Sequence, residues 1–565
     1  MLGSNRETHL MNNRQPLALP LTAVLILFLL PACSQRVVVK QKIGAFTGKQ
    51  VDLAETRIVW ERIQSGTATP EDIKAYNQAV DDVVVKLAGK SMPKPGQKTI
   101  TLNSLRNKVI VDLDPGTKGD LDLRNHEHMY VSDLTLIKRG LNRIVSDDGV
   151  GASLALCTPA SESDPFIAPE GLWQPATAIL EFNGEPDRAK LVIYDPAVRQ
   201  KISVNGHPTA LATDYSIPLA TGFALRDKQL FHLPAMLHYA KFEGKLGLIR
   251  LTPFDAGKIP CILVHGLKSG PATWKEALNK ILANPALRER FEFWSYGYPT
   301  GAPIPYSAMR LRREIAAMHQ FRTAQGGSDD DLLVVGHSMG GLLAKGLLQT
   351  SGNSNWDQIF TQPLETLGLS ESNETVLRDM MYFEPVPSIS RVVFMATPHR
   401  GSGFATNPFS GLISKLIDLP QQIVNVSTEL VNIGRTSLTP LGLEIAANPP
   451  TSIDGLRPDS PMLLLMDSMP LKPDVICHSI VAIERGFDQP QKKWSDGVVP
   501  YSSAIMDAAE SQIVIPRTKH SVHQSEAGIA ELERILSIHI GVPVPEDVTE
   551  ILSQVETPKS ISTNK

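Results

Sequence analysis

From about residue 242 the chain alternates between two hydrophobic periods. Runs such as "KIPCILVHG", "FEFWSYGYP", "DLLVVGHS" and "SRVVFMATP" are apolar almost without interruption. Between them, "TWKEALNKILANPAL", "YSAMRLRREIAAMHQF" and "MGGLLAKGLLQ" repeat their apolar positions every three or four residues. A short continuous apolar run predicts a strand buried on both faces, and a period near 3.6 predicts a helix. Their alternation predicts an α/β domain over 242–545: a mostly parallel sheet covered by helices on both faces. "KLGLIRLTP" predicts a strand at its start, and "DVICHSIVAIE" and "SQIVIP" predict two near its end. In the last helix Ile529, Leu532, Ile535 and Leu536 fall on one face. The rhythm breaks between Gly401 and Lys472, where "FSGLISKLIDLPQQIVNVSTELVNIG" and its continuation predict helices and loops. This insertion (401–472) reads as a cap over a site or as a surface excursion. Its "GLISKLIDL" stretch reads as a lipid-sensing lid or as an ordinary packed helix.

The preceding region, 51–241, has another texture. Thr69-Pro70-Glu71-Asp72 supplies a cap, a proline at the first helical position and early acids. Ile73, Tyr76, Val80, Val83 and Leu87 then recur at helical spacing. After "KPGQK" come short strand-like runs, "KTITLNSL", "KLVIYDP" and "KISVNG", separated by Asn-Gly and Asp-Pro turns. A mixed α+β module follows, with no legible chemistry. Residues 34–50 read as a tether and 546–565 as a flexible tail. No internal repeat is evident.

A length of 565 residues requires more than one folding unit, and 42% hydrophobic with 20% charged residues is a globular composition. The net charge of −4 and the lack of a basic stripe exclude nucleic acid as a partner. The N-terminus changes the picture more. Arg14 precedes the apolar run "LALPLTAVLILFLL" from Leu17 to Leu30, and "PACSQ" follows, as in a secretory signal. Leu30-Pro31-Ala32-Cys33 resembles a bacterial lipobox, which implies signal removal over 1–33 and acylation of Cys33. Acyl chains there would hold the protein on a membrane at ~0.8 kcal/mol per buried methylene. Ser34 resembles the outer-membrane sorting pattern, which makes the bacterial outer membrane the expected location. The remaining cysteines, Cys157, Cys261 and Cys477, are too few and irregular for a disulfide framework or metal site, and Cys261 reads as a small buried hydrophobe.

The chemistry concentrates at Gly336-His337-Ser338-Met339-Gly340. A buried strand precedes this Gly-x-Ser-x-Gly and a helix begins after it, so the serine sits on a sharp strand-to-helix corner, a nucleophile elbow. A serine hydroxyl needs a base to take its proton, and a carboxylate to orient that base. The base belongs in the loop between "SQIVIP" and the last helix, where "RTKHSVHQSE" offers His520 and, as runner-up, His523. The acid belongs after the penultimate strand, where Asp496 of "SDGVVP" is the first candidate and Asp488 and Glu484 the alternatives. An oxyanion needs backbone donors: Met339, directly after the serine, and Leu267, in the loop after "ILVHG". His265 reads as a structural loop histidine. His399 in "ATPHRGS" reads as lining a pocket or bracing a loop, since it precedes the acid in the chain.

Together "VHGLKSG", "GHSMGG", "ATPHRGS", "SDGVVP" and "TKHSVHQS", in this order over about 245–541, resemble the α/β-hydrolase superfamily, especially bacterial lipases and esterases. The resemblance implies an α/β-hydrolase fold and hydrolysis of acyl or lipid esters through an acyl-enzyme, without metal or organic cofactor. It implies the triad Ser338, Asp496 and His520 and the oxyanion hole Leu267 and Met339. An acyltransferase or thioesterase would use the same triad, and a non-catalytic binding protein would keep only the fold. The module before residue 242 lies outside the common core of that superfamily.

Overall fold

A computed structural model describes residues 37–41, 53–88, 92–103, 108–116, 120–185, 187–229, 232–328 and 330–555. Cys33 and the apolar run before it lie outside these residues, as does most of the expected tether. Residues 37–41 are not a tether: Val38–Gln41 pairs antiparallel with Thr135–Arg139, and Val37 is buried. The β-branched run in "VVVK" suits a paired strand, which the tether expectation overlooked.

The N-terminal module begins with helices α1 (Leu53–Gln64) and α2 (Pro70–Ala88). The start of α2 is fixed by a reciprocal cap, in which Asp72 N–H donates to Thr69 Oγ1 (3.2 Å) and Thr69 N–H to Asp72 Oδ2 (3.0 Å). Its apolar stripe, Tyr76, Val80, Val83, Val84 and Leu87, is buried against a six-stranded sheet. The strands are β1 (Thr99–Asn103), β2 (Lys108–Leu113), β3 (His128–Val131), β4 (Ala152–Thr158), β5 (Leu172–Glu181) and β6 (Arg188–Tyr194), in the order β1-β2-β6-β5-β4-β3. Only β2 and β6 run parallel.

Helix α3 (Ser216–Gln229) joins this module to the second sheet. Ile217 packs with Trp173, Ala155 and Cys157 of the first sheet. Leu219, Ala220, Phe223 and Ala224 enter the core of the second domain with Trp274, Ala277 and Leu278. The Arg226–Glu170 ion pair (2.8 Å) and the Arg288 guanidinium over the Tyr215 ring (4.1 Å) tighten the joint. The two units therefore share buried surface rather than a linker.

The second sheet has seven strands: β7 (Leu248–Arg250), β8 (Ile259–Val264), β9 (Phe291–Tyr296), β10 (Leu332–His337), β11 (Ile389–Met395), β12 (Ile476–Ile483) and β13 (Ser511–Pro516), in the order β7-β9-β8-β10-β11-β12-β13. All pairings are parallel except β7 with β9. Alternation along the strands sends Cys261, Leu263, Leu333, Val335 and Val393 to one face. It sends Ile262, Val264, Leu332, Val334 and Phe394 to the other. The first face meets α3, the helix Lys275–Ala283 and the last long helix; the second meets the helix Ile304–Ala324. This double burial is why these strands read as unbroken apolar runs.

Met339–Gly346 forms α4, directly after β10. Between β11 and β12 the chain makes the helices Pro408–Ser414, Gln421–Ile433, Pro440–Ala447, Ser452–Gly455 and Pro461–Ser468. In the "GLISKLIDL" stretch Ile413 and Ile417 are buried while Leu412 and Leu416 are exposed. The last long helix, α5 (Glu526–His539), buries Ile529, Leu532, Ile535 and Leu536. The flexible tail expected over 546–565 instead begins with a helix, α6 (Glu546–Ser553). Its acidic first turn suits the helix N-terminus, Val548 is buried, and Asp547 pairs with Lys280 at 2.6 Å. Residues 556–565 lie outside the described chain. Cys157, Cys261 and Cys477 are buried and unpaired.

Candidate active site

Ser338 stands at the carboxyl end of β10 with φ 54° and ψ −126°. A non-glycine residue there carries strain of about 1–3 kcal/mol, held by the packing around it. A Cβ on Gly340 would lie 2.3 Å from the Val264 carbonyl oxygen, so only glycine lets α4 leave this close to β8. A Cβ on Gly266 would lie 2.8 Å from Ser338 Cβ. The loop after β8 therefore touches the serine's own side chain.

His520 lies in the loop between β13 and α5, with Nε2 2.8 Å from Ser338 Oγ. Its Nδ1 lies 2.6 Å from Asp496 Oδ2. The other carboxylate oxygen of Asp496 accepts the N–H groups of Val498 (2.8 Å) and Val499 (2.6 Å), which follow it in "SDGVVP". His520 N–H donates to the Asp496 carbonyl at 3.1 Å, so the two loops are pinned to each other twice. Asp496 is 2% exposed, in a place where a carboxylate needs such donors. Of the alternatives, Asp488 is exposed, and Glu484 is half-buried beside Gly497 and ion-paired with Arg485.

His523, the runner-up, faces away. Its Nε2 bonds Thr273 Oγ1 at 2.6 Å, and its ring packs edge-on to Trp274. Burial pushes it down to about 3, so it is a neutral packed ring at ordinary pH. His399 is likewise fully enclosed and pushed down by burial to about 3, with its ring edge against Phe394. His265 stacks on Tyr298 at 4.6 Å, and the Tyr298 hydroxyl donates to the His265 carbonyl at 2.8 Å. It braces the loop that carries Gly266 and Leu267.

Sequence reading passed over His337, the variable residue of the elbow. Its Nε2 lies 2.9 Å from the His520 carbonyl oxygen and donates to it, and its ring packs at 3.8 Å on His523. Burial first, then the neighbouring histidines, holds it well below the ordinary histidine range. No pattern marks this residue, because its partners are far along the chain.

Met339 opens α4, so its N–H has no carbonyl one turn back to bond. Leu267 follows Gly266, the residue of the loop after β8 that abuts Ser338. The arrangement can move a proton from Ser338 Oγ to His520 Nε2, leaving the imidazolium against the Asp496 carboxylate.

No protein-family model matches the chain, and no curated protein is similar enough to match it. Among solved structures, the mature Bacillus licheniformis lipase BlEst2 aligns with 13% identity over 52% of this chain and 98% of its own, with a TM-score of 0.31. Lipase 1 from Pelosinus fermentans aligns with 12% identity over 51% and 100%, TM-score 0.32. The Staphylococcus hyicus lipase aligns with 11% identity over 53% and 99%, TM-score 0.32. Likeness this slight carries no argument, and the functional reading rests on the site's own geometry.

Proposed function

We propose that the protein is a serine carboxylic-ester hydrolase, an esterase or lipase of α/β-hydrolase type. The observation that carries the reading is the unbroken chain Ser338 Oγ–His520 Nε2 (2.8 Å) and His520 Nδ1–Asp496 Oδ2 (2.6 Å), mounted on a strained strand-to-helix corner. In this reading His520 takes the Ser338 proton as the oxygen attacks an ester carbonyl. The resulting oxyanion is stabilised by the N–H groups of Leu267 and Met339, worth several kcal/mol of barrier. The leaving alcohol takes the proton from His520, giving an acyl-Ser338 ester. Water then repeats the steps, losing its proton to His520 and releasing the acid. Asp496 fixes the imidazole with Nε2 free to accept.

The substrates are acyl esters carried by lipids, and the enzyme is held at the bacterial outer membrane by acylated Cys33. The step from Cys33 to Val37, which is buried in the protein body, is four residues. An anchor there would keep the body within ~14 Å of the bilayer. Fluorophosphonate labelling together with p-nitrophenyl ester hydrolysis tests the chemistry: label and activity are both expected at Ser338 and lost in Ser338→Ala. Retained activity in a folded Ser338→Ala overturns the reading. Cys33→Ser is expected to release the protein from the membrane fraction, and unchanged membrane association refutes the anchor.

A further inference from the structure

The seam between the two units holds a cleft of about 550 Å³, within the ordinary range of small-molecule sites. Trp173 and Pro175 of β5 line it from the N-terminal module, Leu219 from α3, and Leu251, Leu282 and Phe291 from the second unit. It lies at the amino end of the parallel sheet, bordered by Lys258, which precedes β8, and by Phe291, which opens β9. Ser338 follows β10 at the other end, a strand length of roughly 20 Å away. The cleft is therefore separate from the triad, and one of its walls comes from the module whose sequence carries no legible chemistry.

Three ionisable side chains border these apolar walls: Lys258, Arg288 and Asp195. Arg288 is 6% exposed, and its guanidinium is only partly engaged. Nη1 donates to the Leu282 carbonyl, Nη2 stands 4.0 Å from Asp147 Oδ2, and the central carbon sits over the Tyr215 ring. The buried Nε–H is left without an acceptor, and such a gap costs more at a charged group than at a neutral one. Lys258 Nζ donates to the Arg288 carbonyl at 3.0 Å. The Lys258 ammonium is held below its ordinary value chiefly by burial; Asp255, Asp195 and Glu289 raise it, and the Arg288 charge lowers it further. Asp195 is raised chiefly by burial, and one of its oxygens already accepts the Ala197 N–H at 2.8 Å. Two cations thus face one carboxylate that burial disfavours.

We propose that this cleft is a second ligand site, taking an apolar monocarboxylate whose head group meets Arg288 and Lys258 and whose body lies against Trp173, Leu219 and Phe291. The free N–H calls for an acceptor, and the two cations favour a charged acceptor over an alcohol. The apolar walls favour a carbon body over a bare inorganic anion. Because the walls come from both units, an occupant clamps the module onto the sheet and stabilises the assembled chain over the unfolded one. The reaction proposed above releases acids of this class, so the cleft is placed to respond to product. Its geometry stands without that reading.

The test is titration calorimetry of the full-length protein with decanoate, decanol and inorganic phosphate. Decanoate is expected to fill one site per chain that survives fluorophosphonate labelling of Ser338, with decanol and phosphate each binding about ten-fold more weakly or less. Arg288→Gln is expected to weaken decanoate about ten-fold, the loss of a charge-assisted hydrogen bond. Ala197→Phe narrows the cleft from a half-buried position and leaves Arg288 and Lys258 in place. It is expected to weaken decanoate by about the same factor, and it supplies the reading where Arg288→Gln fails to fold. No decanoate binding, water alone filling the cleft, overturns the inference. So does binding abolished by the Ser338 label, which puts the ligand at the triad, or equal binding of decanol or phosphate, or unchanged affinity in the folded variants. If Ser338 takes no label, the hydrolase reading fails while the two variants still decide the cleft.

Discussion

Among the described residues both units of this molecule bury ionisable groups, but only the second packs buried histidine rings against one another. The N-terminal module buries acids. Asp81 on α2 is pushed up to about 8 by burial and by the nearby Asp133 and Asp82. Asp214, at the entrance to α3, is pushed up to about 6 by burial despite accepting the Ile217 and Ser216 N–H groups. The second unit buries histidines, and also acids such as Glu533, which burial pushes up. His399 and His523 are pushed down to about 3 and His478 to about 4, each chiefly by burial, and His337 lies well below its ordinary range. The lesson is architectural. The parallel sheet crowds histidine rings behind His520 to hold it in place, whereas the mixed sheet has no such centre.

The sharpest way to break this contrast is at the serine. Ser338→Ala should lower ester turnover by about 10⁴–10⁶-fold while leaving the melting temperature unchanged or raised, since the constraint on the elbow hydroxyl is gone. Turnover assays and calorimetry on one preparation check both halves. Asp496→Asn comes next, with an expected loss of about 10⁴-fold in kcat and little change in KM, because the amide favours the wrong imidazole tautomer. Steady-state kinetics on a short ester measures it.

A third, smaller effect is the opposed pH response of the histidines buried near His520 and of the buried Asp81. A buried histidine with a lowered folded value leaves the unfolded chain binding more protons below about 6.5, so its contribution is whole above that pH and falls away toward 3. A buried aspartic acid with a raised folded value leaves the folded chain holding the extra proton. Its contribution is whole below about 3.8 and falls as pH rises through about 8 for Asp81. Each group supplies roughly 1.4 kcal/mol per pH unit inside its window. Hydrogen exchange should therefore find β10 and α4 less protected at pH 4.5 than at pH 8, and α2 more protected. Asp81→Asn should flatten the α2 response, and an unchanged α2 profile would count against it. The smallest effect is expected at the runner-up: His523→Phe should cost stability and less than ten-fold in kcat, against at least 10³-fold for His520→Ala, both read by kinetics with melting temperatures.

Legibility in the sequence followed the same division. The strands β8, β10 and β11 were readable because burial on both faces makes "CILV", "LLVV" and "VVFM" continuous apolar runs. The module's strands are harder to read: β2 alternates exposed Lys108, Ile110 and buried Val109, Val111, and its parallel partner β6 comes about 75 residues later. Ser338 was visible because glycines must stand where β10 turns into α4. Asp496 was visible because it precedes Gly497 and an apolar turn after the penultimate strand; the Val498 and Val499 N–H groups that hold it came only with the structure. His337 was not, since its hydrogen bond is to a carbonyl 183 residues away. The cleft in the seam was equally hidden: Trp173, Leu219 and Arg288 meet only once the two units pack together.

On the proposed reading, His520 makes Ser338 reactive. The most direct test is the rate of fluorophosphonate addition to the Ser338 peptide, followed by mass spectrometry in wild-type protein and in folded His520→Ala. The expected result is a single adduct on Ser338 and a rate at least 10³-fold lower in the variant. An adduct on another residue, or an unchanged rate without the imidazole, would contradict it.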